Sequence, residues 1–375
     1  MPGKSPAERE ALARQNAAIM AVFERAGFEH VQPDILQPAD LFLESSGEDI
    51  RARTYVFTDP SGAEMCLRPD LTVPACRYHL SQAAKPQSEA RYCYCGPAFR
   101  FPHETEAPGE FVQAGLEWYA AADAQGAEAR VLKLTLAALE AAGLEKYTVT
   151  IGDLGLFTGL LDDIDMPARW RSRLRRQFWR PQAFHDLLLS YASDHAGRRS
   201  SISGHVDAMA HKSDDAARDA VSKMLTSAGL PLVGGRSEEE IAARLLEKSA
   251  DRSEAKIDAA AAAMLDAYLA IARTDAMAAL GAIGAAHFAA AQEAYGRRID
   301  AMENLGLNPR RFRFAAAFGR ELEYYTGFVF QIEAAGAVIA GGGRYDNLMS
   351  DIGAPCPISA VGSAIYTDRL KAVLA

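Results

Sequence analysis

Strand-like segments lie at both ends of this 375-residue chain, and a long stretch between them carries only helical patterns. Residues 1–158 mix both patterns: a helix is predicted over 6–25, and short strands follow, separated by Pro and Gly. Residues 159–307 are rich in Ala, Leu, Arg, Asp and Glu, with few β-branched runs. Strand patterns return in residues 308–375. We therefore predict one α+β domain that is interrupted by an all-helical insertion.

The composition, with 49% hydrophobic and 24% charged residues, is that of a soluble globular protein. The sequence has no run of about 18 uncharged apolar residues and begins with a charged segment, so we expect a cytoplasmic protein with no membrane contact. A net charge of −9 weighs mildly against nucleic acid as a partner. Cys93 and Cys95 form a C-x-C pair without a second ligand pair, so we predict buried thiols and no metal site.

The segment FVQAGLEWY (111–119) has the alternation of a β-strand, which places Gln113 and Glu117 on one face with Gly115 between them. One interpretation is a half-exposed sheet whose polar residues face water, and the pattern alone favours it. The other is the floor of a pocket, where an amide and a carboxylate receive an amine or an imidazole.

The segment LRPDLTVP places Asp70 and Thr72 just after Pro69. These residue types favour the first turn of a helix, which is the simpler interpretation of the segment taken alone. The alternative is an anion and a hydroxyl group that face the ammonium group of a ligand.

Two later segments combine aromatic residues with an arginine or with glycines. GRELEYYTGFVF places Arg320 ahead of Tyr324 and Tyr325, which is compatible with a surface ion pair or with a ligand site. AGGGRYDNLM places three glycines before Tyr345 and is predicted to be a turn that leads into a helix. Because three glycines are entropically unfavourable, we expect the backbone there to approach a ligand or another strand closely.

Taken in order, LRPDLTVP, GPAFRF with EFVQAGLEWY, GRELEYYTGFVF, GGGRYDNLM and AVGSAIYTDRL resemble the catalytic core of class II histidyl-tRNA synthetases. The resemblance covers nearly the whole chain outside the helical insertion, which that family carries at the same place. It implies an antiparallel sheet flanked by helices. It also implies a dimer formed through motif 1, which corresponds here to the region around VQPDILQPADLF.

The resemblance further implies an intact histidine pocket. The residues that match the family's pocket are Asp70 and Thr72 for the amino group, Gln113 and Glu117 on the motif 2 strand, Arg320 for the carboxylate, and Tyr325 and Tyr345 beside the imidazole. Arg100 and Tyr324 are further candidate pocket residues. A buried glutamate that accepts a hydrogen bond from an imidazole N–H would suit Glu117.

The ATP side of the synthetase pattern is not preserved. Pro102 stands where motif 2 of the family has a glutamate, and Tyr366 replaces a motif 3 glycine that makes room for the nucleotide. The motif 2 loop, basic in the family, has no Lys or Arg here and contains three carboxylates: Glu104, Glu106 and Glu110. Carboxylates facing a triphosphate or an RNA end are electrostatically unfavourable. The sequence also ends shortly after motif 3, where synthetases continue into an anticodon-binding domain.

A synthetase core with a histidine pocket but without its ATP side resembles the regulatory subunits of ATP phosphoribosyltransferase. The resemblance implies no catalytic residue, no cofactor and no tRNA partner, with free histidine as the regulatory ligand. It implies a short catalytic subunit as partner and a homodimer within a hetero-octamer. In that complex the chain would activate the partner and relay feedback inhibition by histidine in the first step of histidine biosynthesis.

Two alternatives remain open at this level. One is an enzyme that still adenylates histidine, for which Arg100, Arg320 and Arg369 are retained. The other is an RNA-binding sensor on the same fold, which the acidic loop argues against.

Overall fold

The computed structural model describes residues 3–45, 48–82, 85–102, 109–178, 180–192, 215–216, 219–220, 223, 238–273, 277–281, 283, 286–319 and 324–374. The helices are α1 Pro6–Arg25, α2 Asp40–Ser45, α3 Glu48–Arg53, α4 Thr72–Gln82, α5 Ala124–Ala141, α6 Leu154–Asp162, α7 Ala168–Gln177, α8 Pro181–Ala192, α9 Glu238–Ser253, α10 Ala259–Leu269, α11 Met277–Gly281, α12 Ala286–Asn304, α13 Leu348–Asp351 and α14 Thr367–Leu374. The strands are β1 Glu29–His30, β2 Leu36–Pro38, β3 Val56–Thr58, β4 Glu64–Leu67, β5 Ala90–Phe99, β6 Glu110–Tyr119, β7 Thr148–Asp153, β8 Ala272–Arg273, β9 Arg313–Ala315, β10 Phe328–Ala334, β11 Ala337–Arg344 and β12 Ala360–Tyr366.

A mainly antiparallel sheet organises the described chain. Its strand order is β1-β5-β6-β12-β11-β10-β7-β9-β8, and only the β1–β5 and β7–β9 pairs are parallel. The neighbours β6, β12 and β11 come from opposite ends of the chain, so the first and last sequence zones form one sheet. This confirms the predicted α+β fold with an antiparallel sheet flanked by helices. Within the described part of the chain, no helix combines the length and apolar character that a membrane span requires.

The first helix shows how local signals place the helical layer. Ser5 and Glu8 form a capping box, which satisfies backbone N–H groups that a helix start leaves unpaired. The apolar residues Leu12, Ile19, Met20 and Phe23 recur with helical spacing, and all four are buried. They pack α1 against α5 and β5.

The three glycines of AGGGRYDNLM lie inside strand β11, so the predicted turn is wrong. The expected close approach is present, and it is made to neighbouring strands. A Cβ atom at Gly342 would lie 2.2 Å from the Gly362 carbonyl oxygen, and one at Gly343 would lie 2.9 Å from the Tyr325 ring. Glycine is therefore required because the strands and the tyrosine leave no room for a side chain.

The described residues form two compact units, of which the second lies within Asp165–Leu174 and Gln182–Ala263. This differs from the predicted insertion over 159–307, because α12 packs on α5 and α6 of the first unit. The middle zone also contains the short strand β8 and is therefore not entirely helical. In the second unit, Asp251 accepts hydrogen bonds from Trp170 and Arg169, which both lie in the arginine-rich helix α7.

Candidate ligand-binding site

A pocket opens where the start of α4 meets strands β6, β11 and β12. Its lining comprises Asp70, Thr72, Arg100, Gln113, Tyr324, Tyr325, Gly341, Tyr345, Gly362, Ser363, Ala364 and Tyr366. Six of the seven residues proposed for histidine lie in or directly behind this pocket. The seventh, Arg320, lies outside the described residues.

Asp70 and Thr72 lie at the start of a helix, as the simpler interpretation of the segment predicts. Thr72 begins α4, and the Asp70 Oδ1 atom accepts a hydrogen bond from the Val73 N–H at 3.2 Å, which caps the helix. Asp70 is only 3% exposed, and its Oδ2 atom has no hydrogen-bond partner within the described part of the chain. Burial raises the pKa of Asp70, although the Arg100 guanidinium acts in the opposite direction. The pocket thus presents a buried carboxylate oxygen that is available to a cation.

Gln113 lies on β6, whose face is buried and not half-exposed, so the simpler interpretation of that strand is wrong. The side chain is 2% exposed, and among the residues that the structure describes its Oε1 atom has no hydrogen-bond partner. Orphaned buried oxygens are uncommon in folded proteins and need an explanation. Together with Asp70, Gln113 gives this end of the pocket two acceptor oxygens.

Glu117 lies directly behind the pocket and is fully buried. Its Oε1 atom accepts a hydrogen bond from the Tyr94 hydroxyl at 2.8 Å, and its Oε2 atom accepts one from the Tyr345 hydroxyl. A Cβ atom at position 362 would overlap the carboxylate, so Gly362 is needed to house it. Burial raises the pKa of Glu117 to about 7, while hydrogen bonds from Tyr345 and Tyr94 oppose the rise.

Three tyrosines line one wall of the pocket. The ring centroids of Tyr324 and Tyr325 are 4.9 Å apart, and those of Tyr324 and Tyr345 are 5.6 Å apart. Such tilted and edge-on arrangements are favourable for aromatic pairs. The wall offers an aromatic surface to a flat ring, with the Glu117 carboxylate behind Tyr345.

Arg100 supplies the one described cation in the pocket lining. Its Nε atom donates to the Pro69 carbonyl at 2.8 Å, which fixes the guanidinium beside Asp70. Its buried Nη2 atom has no hydrogen-bond partner among the described residues. This donor is therefore available to an anionic group of a ligand.

Tyr366, which stands at the motif 3 position where the family has a glycine, lies at one end of the pocket lining. This ring is 6% exposed and lies between Phe111, at a centroid distance of 5.8 Å, and the Arg369 guanidinium carbon, at 4.2 Å. These contacts show that Tyr366 is packed on both sides, and its role in filling the nucleotide space stays a prediction. Glu104 and Glu106 of the predicted acidic loop lie outside the described residues, and Glu110 begins β6.

Tyr94 is a site residue that the sequence reasoning missed. It is 1% exposed, binds Glu117 and lies 3.5 Å from the Thr72 hydroxyl oxygen. It faces Gly115 in the pairing of β5 with β6. That register depends on a partner strand, so the segment RYCYCGPAF by itself carries no signal for this role.

The described residues contain no group of three or more His, Cys, Asp or Glu side chains arranged to hold a metal ion. Cys93 is buried and Cys95 is partly buried, and both are free thiols. Burial raises the pKa of Cys93 to about 12 and that of Cys95 to about 11, so both favour the neutral thiol over the thiolate that binds metals.

Comparisons with known proteins identify the family. The sequence pattern of histidyl-tRNA synthetase matches residues 4–223 and 221–370. The ATP phosphoribosyltransferase regulatory subunit of Mesorhizobium japonicum is 37% identical over 368 residues, which cover 95% of this chain and 96% of the relative. The subunit of the same name from Brucella anthropi is 34% identical over 367 residues, 94% of this chain and 95% of the relative. The chain belongs to the family of ATP phosphoribosyltransferase regulatory subunits. It is accordingly a regulatory and not a catalytic subunit, with its role in histidine biosynthesis.

Solved structures support the fold. One is a crystal structure from Bacillus halodurans, described as an ATP phosphoribosyltransferase regulatory subunit/histidyl-tRNA synthetase. It superposes with a TM-score of 0.70 at 20% sequence identity, and the match covers 100% of this chain and 82% of that chain. A histidine–tRNA ligase subunit from Alicyclobacillus acidocaldarius gives a TM-score of 0.62 at 24% identity, covering 100% and 95% of the two chains. At these identities the similarity establishes the histidyl-tRNA synthetase-like fold.

Proposed function

We propose that this regulatory subunit activates a short catalytic subunit of ATP phosphoribosyltransferase in the cytoplasm and makes it sensitive to free histidine. The partner would join ATP to phosphoribosyl pyrophosphate, and histidine would inhibit that step by binding the pocket described above. No cofactor and no tRNA take part in this proposal.

The observation that carries the proposal is a set of three buried polar atoms without partners in the described structure. Asp70 Oδ2 and Gln113 Oε1 are acceptors, and Arg100 Nη2 is a donor. An amino acid zwitterion offers an ammonium group for the two acceptors and a carboxylate for the donor. A single small ligand would therefore satisfy all three atoms, whose desolvation is otherwise uncompensated.

The imidazole is proposed to lie against the tyrosine wall, with an N–H directed at Glu117. Both oxygens of this carboxylate already accept a tyrosine hydroxyl. Each carboxylate oxygen can accept two hydrogen bonds, so Glu117 retains acceptor capacity. Tyr345 both lines the pocket and binds Glu117, so an imidazole against this ring would lie beside the carboxylate.

Regulation by histidine requires linkage between the pocket and the partner. Histidine inhibits only if it binds the inhibited state of the complex more tightly than the active state. Allosteric couplings of this kind usually change an affinity by about 5- to 150-fold.

The proposal predicts that a purified short catalytic subunit gains activity when this chain is added and loses the gain at millimolar histidine. Phosphoribosyl-ATP formation would be followed by absorbance, with the catalytic subunit alone as the control. Calorimetry on the isolated chain should show histidine binding, with alanine as a matched amino acid that lacks the imidazole. Activation without histidine sensitivity would reject the feedback role, and an absence of activation would reject the proposal as a whole.

We further propose that the chain forms the homodimer of a hetero-octamer through the small sheet β2-β4-β3. Large apolar side chains are exposed on this sheet at Leu36, Val56 and Phe57, and just before it at Ile35. Two of them, Ile35 and Leu36, belong to the motif 1 segment identified in the sequence. Exposed apolar clusters of this kind are typical of interaction surfaces.

The variant Leu36→Asp is expected to weaken this dimer on the order of 100-fold, because an unpaired carboxylate would be buried at the interface. Sedimentation velocity over a concentration series measures the dimer dissociation constant. Leu374→Asp is the matched control, since Leu374 is 40% exposed and Leu36 is 50% exposed, but Leu374 lies in α14. Equal dimerisation of both variants would exclude the small sheet as the interface.

A further inference from the structure

A cluster of buried charges lies beside the pocket but outside its lining. We call it the buried charge cluster, and its members are Glu128, Asp153, Arg298, Arg344 and Asp346. The first four of these side chains are at most 9% exposed. Charged groups are rarely buried to this extent unless each is paired, so the cluster needs a structural or functional reason.

Glu128 on α5 is the centre of the cluster. Its Oε2 atom accepts a hydrogen bond from Arg298 Nε, and its Oε1 atom accepts one from Arg344 Nε. Arg298 also donates from Nη1 to Asp153 Oδ2 at 2.5 Å. One carboxylate thereby joins helix α12, which carries Arg298, to strand β11, which ends at Arg344.

Arg344 in turn holds the pocket wall. Its Nη1 atom donates to Asp346 Oδ1 and to the Ser359 hydroxyl, each at 2.9 Å. The same Asp346 oxygen accepts the N–H of Ala360, the first residue of β12, at 2.9 Å. The next residue after Arg344 is Tyr345, whose own N–H donates to the Ala360 carbonyl oxygen at 2.9 Å.

These contacts connect the cluster to the ligand site by short steps. Tyr345 lines the pocket and binds Glu117, and β12 supplies Gly362, Ser363 and Ala364 to the lining. A displacement of Arg344 would therefore move both the tyrosine and the strand that form one side of the pocket.

We propose that Arg298 and Glu128 are positioning residues for the ligand pocket, acting through Arg344 on Tyr345 and on the start of β12. The ligand identity in this inference rests on the proposed function, whereas the positioning itself does not. Removing one member leaves an uncompensated charge in the interior, and the remaining groups then rearrange to reach water or other partners. The arrangement of the pocket wall accordingly depends on a helix that contributes no residue to its described lining.

Hydrogen exchange without ligand tests the positioning directly. In Arg298→Gln, the amides of peptides covering 344–366 are expected to exchange at least about tenfold faster, whereas those of β5 keep their rates. Arg297→Gln is the matched control, because Arg297 is the preceding residue of the same helix and is 60% exposed. A uniform increase over both regions, or no increase in either, would show a merely structural role and overturn the inference.

Histidine calorimetry on the same variants supplies the second measurement. The dissociation constant is expected to rise about tenfold in Arg298→Gln, to rise less in Arg298→Lys, and to stay within about twofold in Arg297→Gln. Arg298→Lys keeps the positive charge but loses the planar guanidinium that donates to two carboxylates. It therefore replaces Arg298→Gln in both measurements if Arg298→Gln does not fold. If the wild-type chain binds no histidine, the proposed function fails while the exchange result still decides the positioning role.

Discussion

Replacing Asp70 by asparagine is expected to remove most histidine binding while stabilising the empty protein. The asparagine amide occupies nearly the same volume, but it presents no negative charge to the ligand ammonium. Hydrogen bonds between charged groups contribute about 1.5–3 kcal/mol, so we expect an affinity loss of about 100-fold. The ion pair lost here is buried, because Asp70 is 3% exposed.

The gain in stability has a defined pH dependence. Burial raises the pKa of Asp70 above the ordinary value of 3.8, so the folded protein binds this proton more tightly than the unfolded chain. The contribution of Asp70 to stability is therefore greatest at low pH and is lost as the pH rises through its folded-state pKa. The free energy of unfolding of Asp70→Asn should exceed that of the wild type at neutral pH and approach it below pH 4.

Calorimetry and urea unfolding on the same preparations measure both effects of this substitution. Asp351→Asn is the matched control, because Asp351 is exposed on α13, and it should change neither quantity. Unchanged histidine affinity in Asp70→Asn would contradict the assignment of Asp70 as the ammonium acceptor, whatever the stability shows.

Replacing Glu117 by glutamine is expected to remove the contribution of this carboxyl to the pH dependence of stability. The pKa of this carboxyl rises from 4.5 to about 7 on folding, mainly through burial. The folded state is therefore penalised as the pH rises from 4.5 to 7, and the penalty reaches about 3 kcal/mol and stays constant above that. Glutamine has no charge to desolvate. Its amide oxygen can accept a hydrogen bond from one of the two hydroxyls, Tyr94 or Tyr345, while its NH₂ group donates one to the hydroxyl oxygen of the other.

The measurement is the difference in free energy of unfolding between Glu117→Gln and the wild type at pH 5 and at pH 8. We expect this difference to be small at pH 5 and to grow to about 3 kcal/mol in favour of the variant at pH 8. Groups other than Glu117 titrate in both proteins and cancel in the difference. A constant difference across this range would show that Glu117 is already ionised in the empty pocket.

The local patterns were sufficient for several features of the fold and the site. Alternation along a strand places Gln113 and Glu117 on one face wherever that strand lies, because the side-chain period of a strand is two. The helix predicted over 6–25 from its apolar spacing is α1. These predictions hold because each depends on neighbours within a few positions along the chain.

Other features were misjudged because the deciding contact is distant in sequence. Helical propensity placed Ala286–Asn304 in the insertion, whereas Arg298 binds Glu128 and so ties this helix to the first unit. Glycine favours turns locally, yet Gly342 and Gly343 lie in a strand because β10, β12 and Tyr325 leave no space for a Cβ. Tyr94 was missed for the same reason, since only strand register brings it to Glu117.

The sequence by itself determined which chemical groups are available: the carboxylates of Asp70 and Glu117, the amide of Gln113 and the aromatic rings of Tyr325 and Tyr345. Their types and order along the chain also sufficed to recognise the family. Only the tertiary structure decided how each group is used. The Tyr345 hydroxyl donates a hydrogen bond to Glu117, which lies 228 positions away in the sequence. By contrast, Asp70 Oδ2, Gln113 Oε1 and Arg100 Nη2 have no hydrogen-bond partner among the described residues. Burial and hydrogen-bond satisfaction depend on segments that meet only when the sheet closes, and for this reason no local pattern can reveal which polar atoms remain for a ligand.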